Sequence, residues 1–295
     1  MAQAKIWFVT GASRGFGHIW TEAALERGDR VIATARDTRA LEELAERYGD
    51  NILALGLDVT DRAAVFEAIR KGHEHFSRLD VILCNAGYGY MSTLEEIVID
   101  EARANIETNL FGTLSVIQAA LPILRVQRSG HILTMSSIGG IASFPTGGIY
   151  LATKFAIEAL TEALAGEVAS FGIKVTAIEP GSFATGFGSS TKMAPQIAEY
   201  DDLRKAARAS FNPAMTGDPL ATVDAIMTLV DSQDPPNRLM LGNWLLPMMK
   251  KVYQGRIETW EKWADVSNAA QGTPRQRVDQ VERTSPHGER SDVMP

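Results

Sequence analysis

Short apolar stretches alternate with stretches of helical periodicity from the first residues to about Val230. Most apolar stretches lack polar alternation, which is typical of strands that helices cover on both faces. They predict strands at Lys5–Thr10, Arg30–Ala35, Ile52–Leu57, Val81–Cys84, His131–Ser136, Lys174–Ile178 and Leu239–Leu241. The stretches between them predict helices at Gly15–Arg27, Arg39–Tyr48, Arg62–Phe76, Asp100–Val126, Gly148–Phe171 and Pro219–Asp231. This order predicts an α/β fold, with a doubly wound parallel sheet of about seven strands and helices on both faces.

Residues 181 to 218 interrupt this alternation. They contain several glycines and no stretch that predicts a strand, and they are longer than an ordinary connection, which favours a substrate loop that acts as a lid. Further on, Trp244 to Trp263 has helical spacing. Residues 267 to 295 are rich in Gln, Arg, Ser and Pro, which predicts a disordered tail after a single domain of residues 1 to 266.

Composition narrows the possible partners and compartment. A net charge of −7 over 295 residues argues against nucleic acid as a partner. The longest uncharged run, Ser129 to Thr153, is rich in Gly, Ser and Thr and contains Pro145, so no membrane span is expected. A single cysteine, Cys84, and the lack of a signal-like segment before Lys5 predict a cytoplasmic protein. We expect no metal site, because the sequence has no Cys-x-x-Cys or His-Glu-x-x-His motif.

A glycine-rich turn follows the first predicted strand. Glycines permit a tight turn and a close approach of the backbone to a pyrophosphate, and the helix that follows directs its N-terminus at the phosphate charge. The spacing is Gly-x-x-x-Gly-x-Gly, so the common Gly-x-Gly-x-x-Gly pattern is only partly met and an ordinary turn is the alternative. The candidate phosphate-binding residues are Gly11, Ser13, Arg14, Gly15, Phe16 and Gly17.

The second predicted strand ends at Ala35-Arg36, without the carboxylate that would bind the ribose 2′-hydroxyl of NAD. The guanidinium of Arg36, with that of Arg14, suits a 2′-phosphate instead, which favours NADP over NAD. Asp58 and Val59 follow the third predicted strand. Asp58 is a candidate acceptor for the adenine amino group, and a helix cap is its alternative role.

The candidate chemical group consists of Ser137, Tyr150 and Lys154. Tyr150 and Lys154 lie one helical turn apart on one face of a predicted helix. A phenol ordinarily titrates near pH 10, so it needs nearby positive charge to act as an acid or base at neutral pH, and Lys154 can supply that charge. Ser137 can then hydrogen-bond the substrate oxygen whose proton Tyr150 gives or takes.

Several motifs follow one another along the chain: Thr10-Gly11-x-x-x-Gly15-x-Gly17, Asn85-Ala86-Gly87, Asn109, Ser137, Tyr150-x-x-x-Lys154, and Pro180-Gly181 with Thr185. In this order they resemble the motifs of the short-chain dehydrogenase/reductase family, of the simple one-domain type with a Rossmann-like fold. The resemblance covers roughly Lys5 to Leu241. One departure is Cys84, where such families often have an asparagine.

The resemblance implies roles for the matching residues. It makes Tyr150 the general acid/base, Lys154 the group that lowers its pKa and holds the nicotinamide ribose, and Ser137 the group that orients the carbonyl. Asn109 supports a proton-relay water. The cofactor would also be held by Asn85, Ala86, Gly87, Pro180, Gly181 and Thr185. From the residues alone, Asn109 is otherwise a helix kink or cap, and Asn85-Ala86-Gly87 a turn.

The expected activity is an NADP-dependent interconversion of a ketone and a secondary alcohol on a lipophilic small molecule. The resemblance implies that certain loops and C-terminal segments surround the substrate pocket, and the apolar residues in them favour such a substrate. These residues are Tyr88, Tyr90, Met91, Phe144, Phe183, Phe187, Met193, Trp244 and Met248. In motif detail the chain most resembles 17β-hydroxysteroid and retinol-type dehydrogenases. The alternatives are a non-catalytic NADP-binding sensor and an NAD-linked alcohol dehydrogenase of the same fold. The resemblance also implies a homodimer or homotetramer built on the two long helices.

Overall fold

The computed structural model describes residues 4–210 and 212–272. Nine strands occur in this part of the chain: β1 (Ile6–Thr10), β2 (Arg30–Ala35), β3 (Ile52–Gly56), β4 (Val81–Cys84), β5 (Tyr90–Met91), β6 (Gly130–Met135), β7 (Ile173–Pro180), β8 (Lys192–Met193) and β9 (Arg238–Leu241). Seven of them form one parallel sheet in the order β3-β2-β1-β4-β6-β7-β9. The predicted sheet is therefore confirmed.

Successive side chains of a strand point to opposite faces of the sheet, and in the buried strands both sets are apolar, so helices must pack on both faces of the sheet. Phe8 of β1 belongs to one apolar cluster, whereas Trp7 and Val9 belong to a second cluster on the other face. All five residues of β1 are buried. A strand without a polar face is stable only between two layers of helices, which is the arrangement observed.

The helices in the described residues are α1 (Gly15–Glu26), α2 (Glu42–Tyr48), α3 (Arg62–Phe76), α4 (Ile99–Ile106), α5 (Thr113–Gln127), α6 (Gly148–Val168), α7 (Phe187–Ser190), α8 (Asp201–Ser210), α9 (Val223–Asp231), α10 (Leu245–Lys262) and α11 (Ala264–Gln271). A π-helical segment, Glu107–Gly112, joins α4 to α5. Asp61 caps α3 by accepting a hydrogen bond from the Ala64 amide at 3.0 Å. The cap is thus Asp61, which leaves Asp58 free of that role.

The expectation that residues 181 to 218 contain no strand is wrong. Strand β8 lies in this segment and pairs in parallel with β5, so that Tyr90 is opposite Lys192 and Met91 is opposite Met193. The segment also contains α7 and α8. A strand of two residues is too short to produce a recognisable hydrophobic alternation, because it is fixed by pairing with another segment.

The C-terminal prediction also needs correction. Ser267 to Gln271 belong to α11, because Ala264, Ala269 and Ala270 favour a helix, and Gly272 with φ of +60° ends it. The chain divides into two compact units, residues 1–250 and 251–295, so the first unit ends before the predicted boundary at 266. The predicted disorder of residues 273 to 295 lies outside the described residues.

Residues Ile99–Gln127 form a helical stretch that is long and apolar enough to cross a membrane, with a mean hydropathy of 1.3 in its most apolar window. Half of that window is buried inside the protein. Core helices of water-soluble proteins have the same length and composition, so this stretch is weak evidence for a span.

Candidate active site

The strand order reverses between β1 and β4, which are neighbours in the sheet. In a doubly wound fold, the carboxyl ends of the strands leave a crevice at this point, and ligands bind there. A cavity of about 1570 Å³ lies along this edge of the sheet. Of the candidate catalytic and cofactor-binding residues named from the sequence, all except Gly17 and Asn109 line it.

Gly17 contributes through close packing beneath the glycine-rich turn. A Cβ at this position would lie 2.3 Å from the Gly11 carbonyl oxygen and 2.4 Å from Asn85 Nδ2. Asn85 Nδ2 donates hydrogen bonds to the carbonyls of Thr10 and Gly11, each at 3.0 Å. Asn85 therefore fixes the backbone of the glycine-rich turn, and a side chain at Gly17 would displace the Asn85 amide.

The turn has the properties that a pyrophosphate requires. Gly11 has φ of +69°, a conformation that side chains other than glycine rarely adopt. Helix α1 begins at Gly15 and has no acidic residue in its first turn, so its positive end faces the cavity without a competing carboxylate. These features fit a dinucleotide held by Gly11, Ser13, Arg14, Gly15 and Phe16.

Thr10 connects the glycine-rich turn to the segment after β4. Its hydroxyl accepts hydrogen bonds from the Asn85 and Ala86 amides at 2.9 and 3.1 Å and donates to the Leu83 carbonyl at 3.3 Å. Cys84, at the end of β4, is 1% exposed, and burial raises the pKa of its thiol to about 12. Cys84 is thus a buried packing residue and not a reactive thiol.

Arg14 and Arg36 are exposed at the edge of the cavity. Among the residues that the structure describes, neither forms an ion pair with a carboxylate. Asp37 pairs with Arg39 at 2.5 Å and caps the turn that starts at Thr38. Because Asp37 pairs with Arg39, the guanidinium of Arg36 remains free to bind an anion.

Asp58 lies at the cavity after β3. Its Oδ1 accepts hydrogen bonds from the Thr60 amide at 2.9 Å and from the Thr60 hydroxyl at 2.8 Å, which shapes the turn before α3. Val59 is 7% exposed and packs close to Gly112, where a Cβ would lie 2.7 Å from Val59 Cγ2. Both residues remain suitable for contact with an adenine.

Ser137, Tyr150 and Lys154 converge as predicted. Ser137 follows β6 and caps a short turn by accepting a hydrogen bond from the Gly139 amide at 3.0 Å. Tyr150 and Lys154 lie one turn apart on α6 and are 7% and 5% exposed. The ammonium of Lys154 donates to the Met135 carbonyl at 2.7 Å and lies 5.7 Å from the centre of the Tyr150 ring.

Burial controls the protonation of this group. It raises the pKa of Tyr150 to about 12, and a hydrogen bond with Ser137 offsets part of that increase. Burial also lowers the pKa of Lys154 to about 8, although Glu158 acts in the opposite direction. Burial is the dominant effect on the pKa of Tyr150, and the lowering of that pKa by Lys154 stays a prediction. Tyr150 is protonated at neutral pH and can act as a proton donor.

Asn109 lies in the π-helical segment and does not line the cavity. Its Oδ1 accepts from the Tyr88 amide at 3.1 Å, and its Nδ2 donates to the Tyr88 carbonyl at 3.0 Å and to Thr153 Oγ1 at 3.1 Å. Single π-helical turns are frequent at functional sites because they redirect side chains within a helix. Here the segment directs Asn109 to the backbone of Tyr88 and to Thr153 of α6.

Most of the predicted substrate residues line the cavity. Tyr88, Met91, Phe144, Phe183, Phe187, Trp244 and Met248 line it. Tyr90 does not, because its buried hydroxyl accepts a hydrogen bond from the Val98 amide at 3.0 Å, and Met193 is exposed outside the lining. The lining of the cavity also includes Leu203, Ala206, Ala207 and Met215, which the sequence analysis missed. Leu203, Ala206 and Ala207 are spaced as residues on one face of a helix, so the sequence contained a pattern that could have identified them.

The fold and the site together define a dinucleotide-dependent oxidoreductase. The sequence model of the short chain dehydrogenase family matches residues 5–195. The chain belongs to the short-chain dehydrogenase/reductase family, whose members use nicotinamide cofactors and act on small molecules. It is thus an oxidoreductase that acts on CH–OH groups or on the corresponding carbonyls.

Two relatives cover most of the chain. Oxidoreductase BOA17 of Botryotinia fuckeliana is 38% identical over 271 residues, which are 90% of this chain and 99% of the relative. A 3-ketodihydrosphingosine reductase of Bacteroides thetaiotaomicron is 35% identical over 269 residues, which are 88% of this chain and 93% of the relative.

Solved structures agree with the fold. A short-chain dehydrogenase from Streptomyces avermitilis is 37% identical and has a TM-score of 0.85, covering 91% of this chain and 99% of its own. The structure of ElxO with NADP bound is 27% identical and has a TM-score of 0.70, covering 83% of this chain and all of its own.

Proposed function

We propose that the protein is an NADP-dependent enzyme that interconverts a ketone and a secondary alcohol on a lipophilic small molecule. The observation that carries this proposal is one cavity lined by three kinds of residue. The glycine-rich turn with two arginines, a set of apolar side chains, and the group of Ser137, Tyr150 and Lys154 all line it. At about 1570 Å³, the cavity exceeds the usual range of roughly 300–1,000 Å³ for a single ligand, which favours a cofactor together with a sizeable substrate.

The preference for NADP is supported by charge. Arg14 and Arg36 place two guanidinium groups at the cavity, and such groups bind the planar oxygen array of a phosphate monoester well. A carboxylate at the end of β2 would bind the free ribose hydroxyl of NAD and so favour NAD. Asp37, the acidic residue that follows β2, forms an ion pair with Arg39 instead. The relative ElxO, whose structure contains NADP, adds support.

The lipophilic substrate is supported by the cavity lining and by one relative. Phe144, Phe187, Trp244 and Met248 contribute apolar surface to the cavity, and the Phe187 ring lies 5.5 Å from the Tyr150 ring. A 3-ketodihydrosphingosine has a carbonyl on a long aliphatic chain, and the relative named for its reduction is 35% identical to this chain. A ketone on an extended apolar skeleton is therefore the first class to test, with steroids as the second.

Each residue of the catalytic group has a defined task. Ser137 donates a hydrogen bond to the substrate carbonyl oxygen and so fixes it beside Tyr150. Tyr150, protonated at neutral pH, donates its proton to that oxygen as negative charge develops on it. Lys154 binds the nicotinamide ribose and stabilises the phenolate that remains. The nicotinamide, when bound, supplies the hydride that reduces the carbonyl carbon.

The assembly and the compartment are also proposals. Phe111 and Phe155 are 47% and 37% exposed on the stretch from α4 to α5 and on α6, which supports a homodimer or homotetramer through these helices. The single cysteine supports a cytoplasmic location.

The decisive experiment follows the loss of NADPH absorbance with long-chain β-keto, steroidal and aromatic ketones, with NADH measured in parallel. We expect turnover of an extended apolar ketone with NADPH and none with the Tyr150→Phe variant, which keeps the ring and loses the proton. Binding of NADPH to Tyr150→Phe, measured by fluorescence, controls for folding. Turnover by Tyr150→Phe at the wild-type rate, or silence of the wild type on every ketone, would contradict the proposal.

A further inference from the structure

Two buried carboxylates lie behind the catalytic lysine and take no part in the reaction proposed above. Glu158 is one helical turn beyond Lys154 on the same face of α6. Glu179 is on β7, immediately before Pro180. The side chains of Glu158 and Glu179 are 5% and 0% exposed, so neither carboxylate is hydrated.

The guanidinium of Arg238 lies within 4 Å of both carboxylates. Arg238 Nη1, at the start of β9, lies 3.3 Å from Glu158 Oε2 and 3.9 Å from Glu179 Oε1. The other amino group of Arg238, Nη2, donates to Glu162 Oε2 at 2.7 Å, at the surface. Within the described residues, the oxygens of Glu158 and Glu179 accept no hydrogen bond from a protein donor. Two buried carboxylates therefore share, within 4 Å, one guanidinium that also binds Glu162.

Such an arrangement is unstable if both carboxylates are ionised. Burial disfavours each charge, and two like charges in contact disfavour each other. A proton between the two carboxyl groups removes one charge and adds the hydrogen bond that they otherwise lack. The hydroxyl of Ser136, which is buried and has no described partner, faces the same space, because a Cβ on Gly140 would meet both Ser136 Oγ at 2.6 Å and Glu158 Cγ at 3.0 Å.

We propose that Glu158 and Glu179 share one proton, and that the single negative charge left on this pair holds Lys154 as an ammonium. Glu158 is thus a positioning residue that acts through Lys154, whereas Glu179 takes part only by sharing the proton. The charged groups around the pair are Lys154 and Glu162 on α6 and Arg238 on β9.

Electrostatics agree with this geometry. Burial and the charge of Glu158 raise the pKa of Glu179 to about 8, and Arg238 offsets only part of that increase. The charge of Glu158 raises the pKa of Lys154 against the larger effect of burial, which lowers it to about 8. Without the pair, the ammonium of Lys154 would lose its only carboxylate neighbour on α6 and would deprotonate at a lower pH.

The proton sharing is tested directly by carbon-13 NMR of protein labelled at the glutamate carboxyl groups, recorded from pH 5 to 10. We expect one carboxyl resonance to titrate far above the ordinary range and to disappear in Glu179→Gln. Glu162→Gln is the matched control, since it removes an exposed carboxylate from the same guanidinium, and we expect the resonance to remain. Titration of every glutamate below about pH 6 would overturn the proposal.

The effect on Lys154 rests on the proposed function and is tested by the pH profile of kcat. In Glu179→Gln the charge stays on Glu158, so we expect kcat at pH 7 within about three-fold of the wild type. In Glu158→Gln the charge moves away from Lys154, so the loss of activity with rising pH should begin about one pH unit lower. An unchanged profile in Glu158→Gln would overturn the positioning role. If no ketone is turned over, the NMR titration still decides the proton sharing, so failure of the two proposals is distinguishable.

Discussion

The side-chain amide of Asn109 forms hydrogen bonds with both backbone polar groups of Tyr88. The Tyr88 amide donates to Asn109 Oδ1 at 3.1 Å, and Asn109 Nδ2 donates to the Tyr88 carbonyl at 3.0 Å. The second hydrogen of Nδ2 reaches Thr153 Oγ1, next to Lys154, at 3.1 Å. One buried amide therefore joins the loop after β4, the π-helical segment and the catalytic helix.

These hydrogen bonds predict that Asn109→Ala lowers both the free energy of unfolding and kcat. The variant leaves the partly buried Tyr88 amide without its acceptor, at a cost of about 1–3 kcal/mol, and Thr153 Oγ1 keeps only its hydrogen bond to the Tyr150 carbonyl. We expect a decrease of roughly that size or more in the free energy of unfolding in urea. We also expect a fall in kcat of about ten-fold or more, because Tyr88 lines the cavity and would shift.

Asn105→Ala is the matched control for this prediction. Asn105 Nδ2 also donates to the Tyr88 carbonyl, at 2.9 Å, but that carbonyl keeps its bond from Asn109 in the variant. We expect a smaller loss of stability than in Asn109→Ala and nearly wild-type kcat. Equal effects of the two substitutions would contradict a special role for Asn109.

The exposed guanidinium of Arg36 predicts a cofactor-specific loss of affinity. Arg36→Ala should weaken NADPH binding by about ten-fold and leave NADH binding almost unchanged, since only NADPH has a 2′-phosphate. Arg30→Ala provides the control, because Arg30 is a cation at the opposite end of β2. The measurement is a fluorescence titration of each variant with both cofactors at two salt concentrations. Equal weakening of NADPH and NADH would show that Arg36 does not select the phosphate.

The burial of Lys154 predicts that this residue reduces the stability of the protein below pH 8. Its pKa of about 8 in the folded protein lies below its ordinary value of 10.5. Between these two values the unfolded chain binds a proton that the folded protein does not, so this contribution to stability rises with pH. The full effect is roughly 3 kcal/mol.

Lys154→Met removes this titration together with the hydrogen bond to the Met135 carbonyl. We expect the variant to be inactive, and we expect its stability relative to the wild type to fall by up to roughly 3 kcal/mol between pH 7 and 10. Urea unfolding of both proteins across this range, without cofactor, measures the difference. A difference that does not change with pH would mean that Lys154 titrates normally in the folded protein.

The sheet and the location of the candidate site can both be predicted from the apolar strands in the sequence. Strands such as β1 and β7 are buried on both faces, so their apolar composition alone identifies them, and the site residues follow the carboxyl ends of those strands. The pairing of β5 with β8 could not be predicted, since two segments distant in the chain fix each other. The raised pKa of Tyr150 and the approach of Glu158 to Glu179 depend on burial and on three neighbouring elements, which local spacing does not encode.

A buried ion pair connects the substrate loop to the segment after β5. Arg204 of α8 lies 2.5 Å from Glu96, and their side chains are 8% and 3% exposed. Glu96 also accepts hydrogen bonds from the Thr93 amide at 2.9 Å and from the Ile197 amide at 2.7 Å. These contacts hold α8, whose Leu203 lines the cavity, in place against the first part of the chain.

Glu96→Gln should therefore affect substrate binding more than chemistry. Removing the charge of Glu96 leaves Asp201, at 2.7 Å, as the carboxylate partner of the buried Arg204 within the described residues. The cost is therefore smaller than the roughly 3–5 kcal/mol of a fully unpaired buried charge, and α8 can relieve it by moving into solvent. We expect KM for an apolar ketone to rise by about ten-fold or more, with kcat within about three-fold, because Tyr150 and Lys154 lie on a different helix. Lys205→Met is the control, since Lys205 forms an exposed pair with Asp202 on the same helix, and such pairs contribute little. An unchanged KM in Glu96→Gln, or an equal increase in Lys205→Met, would mean that this ion pair does not position the substrate loop.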